Sequence, residues 1–138
     1  MPVSFSMLSD RNLALVIFDG YVTLADCEAV LIELTGRHRL RPVRERLIDL
    51  SGVTGWDDGF AATIRDLAAQ NAWLMQPDSQ TLCVYYAPTP TARDIAAVLA
   101  RSWEAIPSVV SLVLDDESEA LAILGQTEAR VSELSVAA

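Results

Sequence analysis

The chain is expected to fold as an α/β protein, with a mixed and mainly parallel sheet of about five strands flanked by helices. Three observations lead there. Short apolar runs recur at Leu13–Phe18, Leu47–Leu50, Thr81–Tyr86 and Val109–Leu114, as in strands buried on both faces. Segments with apolar residues at helical spacing separate them, so strands and helices alternate. The length of 138 residues suits one compact domain.

Val3–Leu8 alternates apolar and polar, as a half-exposed strand does, and Ser9-Asp10-Arg11-Asn12 is a polar turn leading into the run Leu13–Phe18. Thr23 and Asp26 form a capping-box-like pair ahead of a helix carrying Leu24, Cys27, Leu31 and Leu34 on one stripe, with Gly36 as its expected stop. After the strand Leu47–Leu50 a second helix is expected through Phe60, Ile64, Leu67 and Leu74, broken by Pro77-Asp78-Ser79. Thr89-Pro90 reads as an N-cap and first helical residue, with Pro107 beyond the helix end. Asp116 and Glu119 cap a last helix through Leu121 and Leu124. The order is ββαβαβαβα, with the N-terminal strand at an edge. Residues 1–125 form the domain and 126–138 a C-terminal extension, helical or frayed.

The formal charge of −9, from 19 acids and 10 bases, argues against a broad nucleic-acid surface. All ten bases are arginine, which removes Schiff-base and P-loop lysine chemistry. Cys27 and Cys83 fit two buried free thiols. No metal spacing is evident, and no cofactor is expected. Met1–Met7 lacks the charged start of a leader, and no apolar run reaches the ~18 residues of a membrane span. The expectation is a soluble, cytoplasmic protein.

Val16-Ile17-Phe18-Asp19-Gly20-Tyr21-Val22-Thr23 resembles the opening motif of haloacid-dehalogenase-type phosphatases, with Asp19 in the nucleophile position. Tyr21 stands where that family has its general acid. Val113-Leu114-Asp115-Asp116 resembles its late metal-binding pair, and no lysine is available for its third motif. Phosphoryl transfer depends on such positioned charges, so much of the machinery is missing and an enzyme is not expected.

Leu47-Ile48-Asp49-Leu50-Ser51-Gly52-Val53-Thr54, followed by an Asp-containing helix start, resembles the STAS fold of SpoIIAA-type anti-sigma-factor antagonists and of the SpoIIAA-like proteins, a group often compared with CRAL-TRIO lipid carriers. In the antagonists a phosphorylatable serine stands at that helix start. Here Asp57-Asp58-Gly59 occupies the place, so the resemblance implies a non-catalytic interaction or regulatory module without that switch, docking through the Ser51–Gly59 turn. Asp57 and Asp58 are expected to fill their own helix N-terminus with fixed negative charge.

Ser51, Trp56, Asp57 and Asp58 are candidate binding residues on that turn, and Tyr86 closes a neighbouring strand. Arg37, His38, Arg39, Arg41, Arg44 and Arg46 fall within ten residues. They can serve an acidic partner, or simply a helix C-terminus and a solvated edge; Arg39, Arg41 and Arg44 are the binding candidates among them. The partner is a protein, with a homodimer a further expectation. The alternative is a small apolar or lipid ligand, with Trp56 and Tyr86 near its pocket.

Overall fold

The computed structural model describes residues 3–40, 43–57, 59, 62, 64–66, 80–104 and 106–134, with only the backbone for residues 9, 31 and 34–40. Five strands make one sheet in sequence order: β1 (Val3–Leu8), β2 (Leu13–Val22), β3 (Glu45–Trp56), β4 (Thr81–Tyr86) and β5 (Val109–Leu114). β1 pairs antiparallel with β2, and every other neighbour pair is parallel. The mixed, mainly parallel sheet with an edge N-terminal strand is the one expected from sequence.

The helices are α1 (Leu24–Leu40), α2 (Pro90–Ser102) and α3 (Glu117–Ile123), and Ala62 and Ile64–Asp66 are also helical. In a sheet whose parallel strands follow chain order, right-handed crossovers put every connecting helix on one face. The packing agrees. Cys27 and Val30 of α1, Ile64, and Ile95 and Leu99 of α2 share one core with Val16, Ile48 and Tyr85 of the sheet. The other face carries Leu13, Leu15, Leu47 and Val84 under Leu121 and Leu124. Alternate residues of each central strand enter opposite cores, which explains the continuous apolar runs.

Residues 126–134 neither continue a helix nor leave the domain. Val131 and Leu134 are buried in the second core, around a 3-10 turn at Val131–Glu133. The Val131 N–H donates to Glu117 Oε2 at 2.8 Å, and Arg11 pairs with Glu128 at 2.8 Å. Residues 135–138 lie outside the described residues.

Two strands run further than sequence periodicity suggests. β2 passes Phe18 to Val22 and β3 passes Leu50 to Trp56, so most of the expected Ser51–Gly59 turn is strand. Ser51, Gly52, Thr54 and Gly55 carry turn chemistry in isolation. Here they face β2 across two register shifts, and the glycines mark close approach. A Cβ at Gly52 would collide with the Asp19 carboxylate, and one at Gly55 would lie 3.2 Å from the Tyr21 ring. α1 also continues past Gly36 to Leu40, and α2 ends at Ser102, short of Pro107.

Candidate functional site

β3 pairs with β4 only from Glu45 to Asp49. Beyond that, β2 and β3 continue together as a two-stranded ribbon ending at Val22 and Trp56. The ribbon rises from the C-terminal ends of the parallel strands, where open α/β sheets place their sites. Tyr21 is 53% exposed on it, and Ser51 and Thr54 are exposed beside it.

Ser51 is held by its neighbour. Its N–H and its hydroxyl both donate to Asp49 Oδ1, at 3.0 and 2.7 Å. The aspartate of the Asp-Leu-Ser strand motif therefore closes a local turn and satisfies a backbone donor on the strand flank that β4 no longer covers.

Asp57 reaches a helix other than the one that follows it. Its Oδ2 accepts from the Leu24 N–H, at 3.0 Å, across a separation of 33 residues. Leu24 is the first residue of α1, whose N-terminus also carries the predicted box: Thr23 Oγ1 accepts from the Asp26 N–H at 3.1 Å, and Asp26 Oδ2 accepts from the Thr23 hydroxyl at 2.6 Å. A carboxylate at a helix N-terminus is stabilising, and Asp57 serves that of α1. Asp58 lies outside the described residues.

Trp56 ends a strand rather than occupying a turn, half-buried against the α1/α2 core. Tyr86 packs on the opposite face, against the second core. The two do not converge on a pocket. Desolvation raises the Tyr86 phenol, and the nearby Glu117, Asp49 and Asp116 raise it further, so the ends of β3, β4 and β5 form an acidic rim.

The arginine cluster divides. The side chains of Arg37, His38 and Arg39, and the whole of Arg41, lie outside the described residues. Arg44 is exposed, and its N–H donates to Asn12 Oδ1 at 3.0 Å. Arg46 points inward and is only 7% exposed. On β3 it alternates with Leu47 and shares the face of Ile48 and Leu50.

Arg46 lines a cavity of about 100 Å³ between the sheet and the helices. Cys27, Tyr85, Leu99, Ser102 and Trp103 line it too. Burial, with the charges of Asp26 and Asp57 behind it, pushes the Cys27 thiol up to about 12. Burial also raises Cys83 and Tyr85, while the positive charge of Arg46 acts in the opposite direction on both. The thiols therefore remain protonated and unreactive at neutral pH. Sequence reasoning grouped Arg46 with a surface cluster and missed this cavity; the signal was its even spacing from Ile48 and Leu50.

Asp19 and Asp115, the acids of the phosphatase-like motifs, lie at well-separated strands. Asp19 is exposed within β2, and Asp115 follows β5, three strand spacings or about 14 Å across the sheet. Among the described residues no group of three or more His, Cys, Asp or Glu side chains could hold a metal ion.

No family model and no curated protein matches the sequence. A solved structure does match the fold: the anti-sigma factor antagonist SpoIIAA in its unphosphorylated form. The match covers 89% of this chain and 97% of that one, with a TM-score of 0.57 at 13% identity. The fold is STAS-like. The five-stranded mixed sheet and its flanking helices are those of the SpoIIAA fold, and the resemblance on Leu47–Thr54 pointed to it correctly. Among the described residues no helix is long and apolar enough to cross a membrane.

Proposed function

We propose that the protein is a non-catalytic interaction module that docks a protein partner on the β2–β3 ribbon. The observation that carries this reading is the ribbon itself: a STAS-like sheet extends two strands beyond their neighbours and presents a half-exposed tyrosine, Tyr21, with Ser51 and Thr54. Aromatic side chains on a raised, otherwise polar surface make effective anchors. The rim of Asp49, Asp116 and Glu117 favours a partner segment carrying positive charge.

No phosphorylatable serine stands at the Asp57-Asp58-Gly59 position, and Asp57 is engaged with α1. Docking is therefore constitutive, set by shape and rim charge. The test is a photo-crosslinking residue placed at Tyr21 or at Ser4, on the far edge strand, in cells producing the full chain. Partner adducts should form from position 21 and fail when Asp49 and Glu117 are changed to Asn and Gln. Equal labelling from both positions would sink the ribbon as the docking surface.

One observation favours a second reading, a carrier of a small apolar ligand: the cavity beneath α1 and α2. Its size restricts the ligand. Pockets for drug-sized molecules run to several hundred Å³, so about 100 Å³ holds a few carbon atoms rather than an acyl chain. Phe18, Tyr85 and Trp103, not Trp56 or Tyr86, are the aromatic residues that line it.

A further inference from the structure

β5 is an edge strand without the usual protection. Among the described residues no strand lies beyond it. Val109-Val110-Ser111-Leu112-Val113-Leu114 contains no charge, proline or glycine, and it pairs with β4 without a bulge. Sheets normally blunt such edges, because a bare apolar edge recruits another strand. Leu112 and Val113, on opposite faces of β5, are 36% and 42% exposed. The other edge, β1, exposes Ser4 and Ser6 instead.

The backbone of that edge can be assigned residue by residue. In a strand the N–H and C=O of one residue point the same way, and successive residues alternate. The Leu114 C=O accepts from the Ala87 N–H at 2.8 Å, on the β4 side. The groups of Val110, Leu112 and Leu114 therefore serve β4, and those of Val109, Ser111 and Val113 face outward. The Val109 N–H turns back to the Ile106 C=O, at 3.1 Å, which ends the free edge at that residue.

We infer that β5 pairs with β5 of a second copy of this chain, antiparallel about a two-fold axis through Ser111, so that two sheets become one. An axis normal to the sheet keeps each face on its own side, so residues of like face meet. Ser111 meets its counterpart, Val109 meets Val113, and Val110 meets Leu112. Each exposed apolar side chain of the strand gains an apolar neighbour. α3 lies over β4 and β5, on the side of Leu112, and carries a further exposed apolar residue, Ile123. Across the axis it stands two strand spacings, about 10 Å, from its mate, which is helix-packing distance.

Charge favours a second copy and fixes its direction. The exposed Asp115 and Asp116 follow the C-terminal end of β5. The exposed Arg101 closes α2 at the other end of the sheet, where β5 begins. Antiparallel pairing carries the acids of each copy toward the arginine of the other, whereas parallel pairing stacks acid on acid. This goes beyond the ribbon reading: the ribbon lies two strands inward and stays free in both copies.

The test is sedimentation equilibrium of the full chain across micromolar concentrations. A dissociation constant on the order of 10 μM is expected, since one strand pair with its flanking helices is a small interface. Val113→Pro removes an outward N–H and leaves the β4 ladder intact. It should keep the fold, read by circular dichroism and urea midpoint, and weaken the dimer about tenfold or more. Val113→Lys, a charge on the same edge, should do likewise. Arg101→Glu should weaken the dimer, and Arg93→Glu, the same charge change at the start of α2, should do so far less. In the unaltered protein the Ser111 and Val113 amides should exchange with solvent more slowly as concentration rises, while β1 amides stay constant. A chain that remains monomeric throughout would overturn the pairing. So would a dimer whose Ser111 and Val113 amides exchange independently of concentration, or one that both folded Val113 variants form as readily as the parent. None of these results bears on crosslinking from Tyr21, which reads the ribbon.

Discussion

Asp57→Ala tests whether the carboxylate after β3 anchors α1. The side chain accepts a hydrogen bond from the Leu24 N–H, at 3.0 Å, in a half-buried setting. Losing a helix cap costs about 0.5–2 kcal/mol, and a hydrogen bond to a charged group contributes about 1.5–3 kcal/mol. Partial exposure and the surviving Thr23–Asp26 box place the expected loss near the lower end, about 1–1.5 kcal/mol. Asp57→Asn keeps an acceptor and loses the charge, so its cost should be about half as large. Urea denaturation followed by circular dichroism reads this as a lower midpoint with an unchanged slope, and the melting temperature should fall by about 3–6 °C. The pair with Thr23→Ala should be non-additive, because both side chains serve the same first turn. Asp57→Ala as stable as the parent, alongside a Thr23→Ala variant that loses its expected cap energy, would refute the anchoring.

Stopping the chain after Arg130 removes Val131 and Leu134 from the second core, and a loss of about 3 kcal/mol or more is expected by denaturation. Unchanged stability would mean the extension adds nothing to the domain. Cys27 and Cys83, buried and with raised thiols, should resist a maleimide at pH 8 in the folded protein and react stoichiometrically in urea, as read by intact mass. Asp116 is held below the ordinary carboxylate range by the Glu119 N–H and the Ser118 hydroxyl. A lowered folded-state value means that its stabilisation is present above the unfolded-state value and is lost as acid protonates the folded form. Asp116→Asn should therefore flatten part of the fall in stability below about pH 4, measured by urea midpoints across that range.

The parts of this fold that sequence reveals depend on near neighbours. β4 and β5 lie where their apolar runs place them, and Thr23, Thr89 and Asp116 cap the helices expected of them, because a cap needs only its own next three residues. The ribbon was hidden for the opposite reason. Ser51-Gly52-Val53-Thr54-Gly55 becomes strand only because Asp19–Val22 lies alongside with two register shifts, and no local pattern records that. The bond from Asp57 to α1 is hidden from local pattern too, since its partner is a residue 33 positions away. Arg46 was legible in principle, being in step with Ile48 and Leu50, but five arginines in ten residues read first as a solvated face.

These placements bear on how the protein treats charge. A helix N-terminus is the usual anion site of such folds, yet the described N-termini are filled from within: α1 by Thr23, Asp26 and Asp57, α2 by Thr89, α3 by Asp116. An added phosphate near α1 would have to displace a carboxylate already bonded there, so a phosphate switch at that position would act by breaking a cap rather than by filling a vacant one. The strand ends outside are acidic. Arg46 is buried on the helix-covered face, where it lines the cavity. Charge is thus sorted by position, with acids at the strand ends and a buried arginine on the helix-covered face. α1 is both a wall of the cavity, through Cys27 and Val30, and the helix tied to the ribbon through Asp57, so cavity and ribbon share one support.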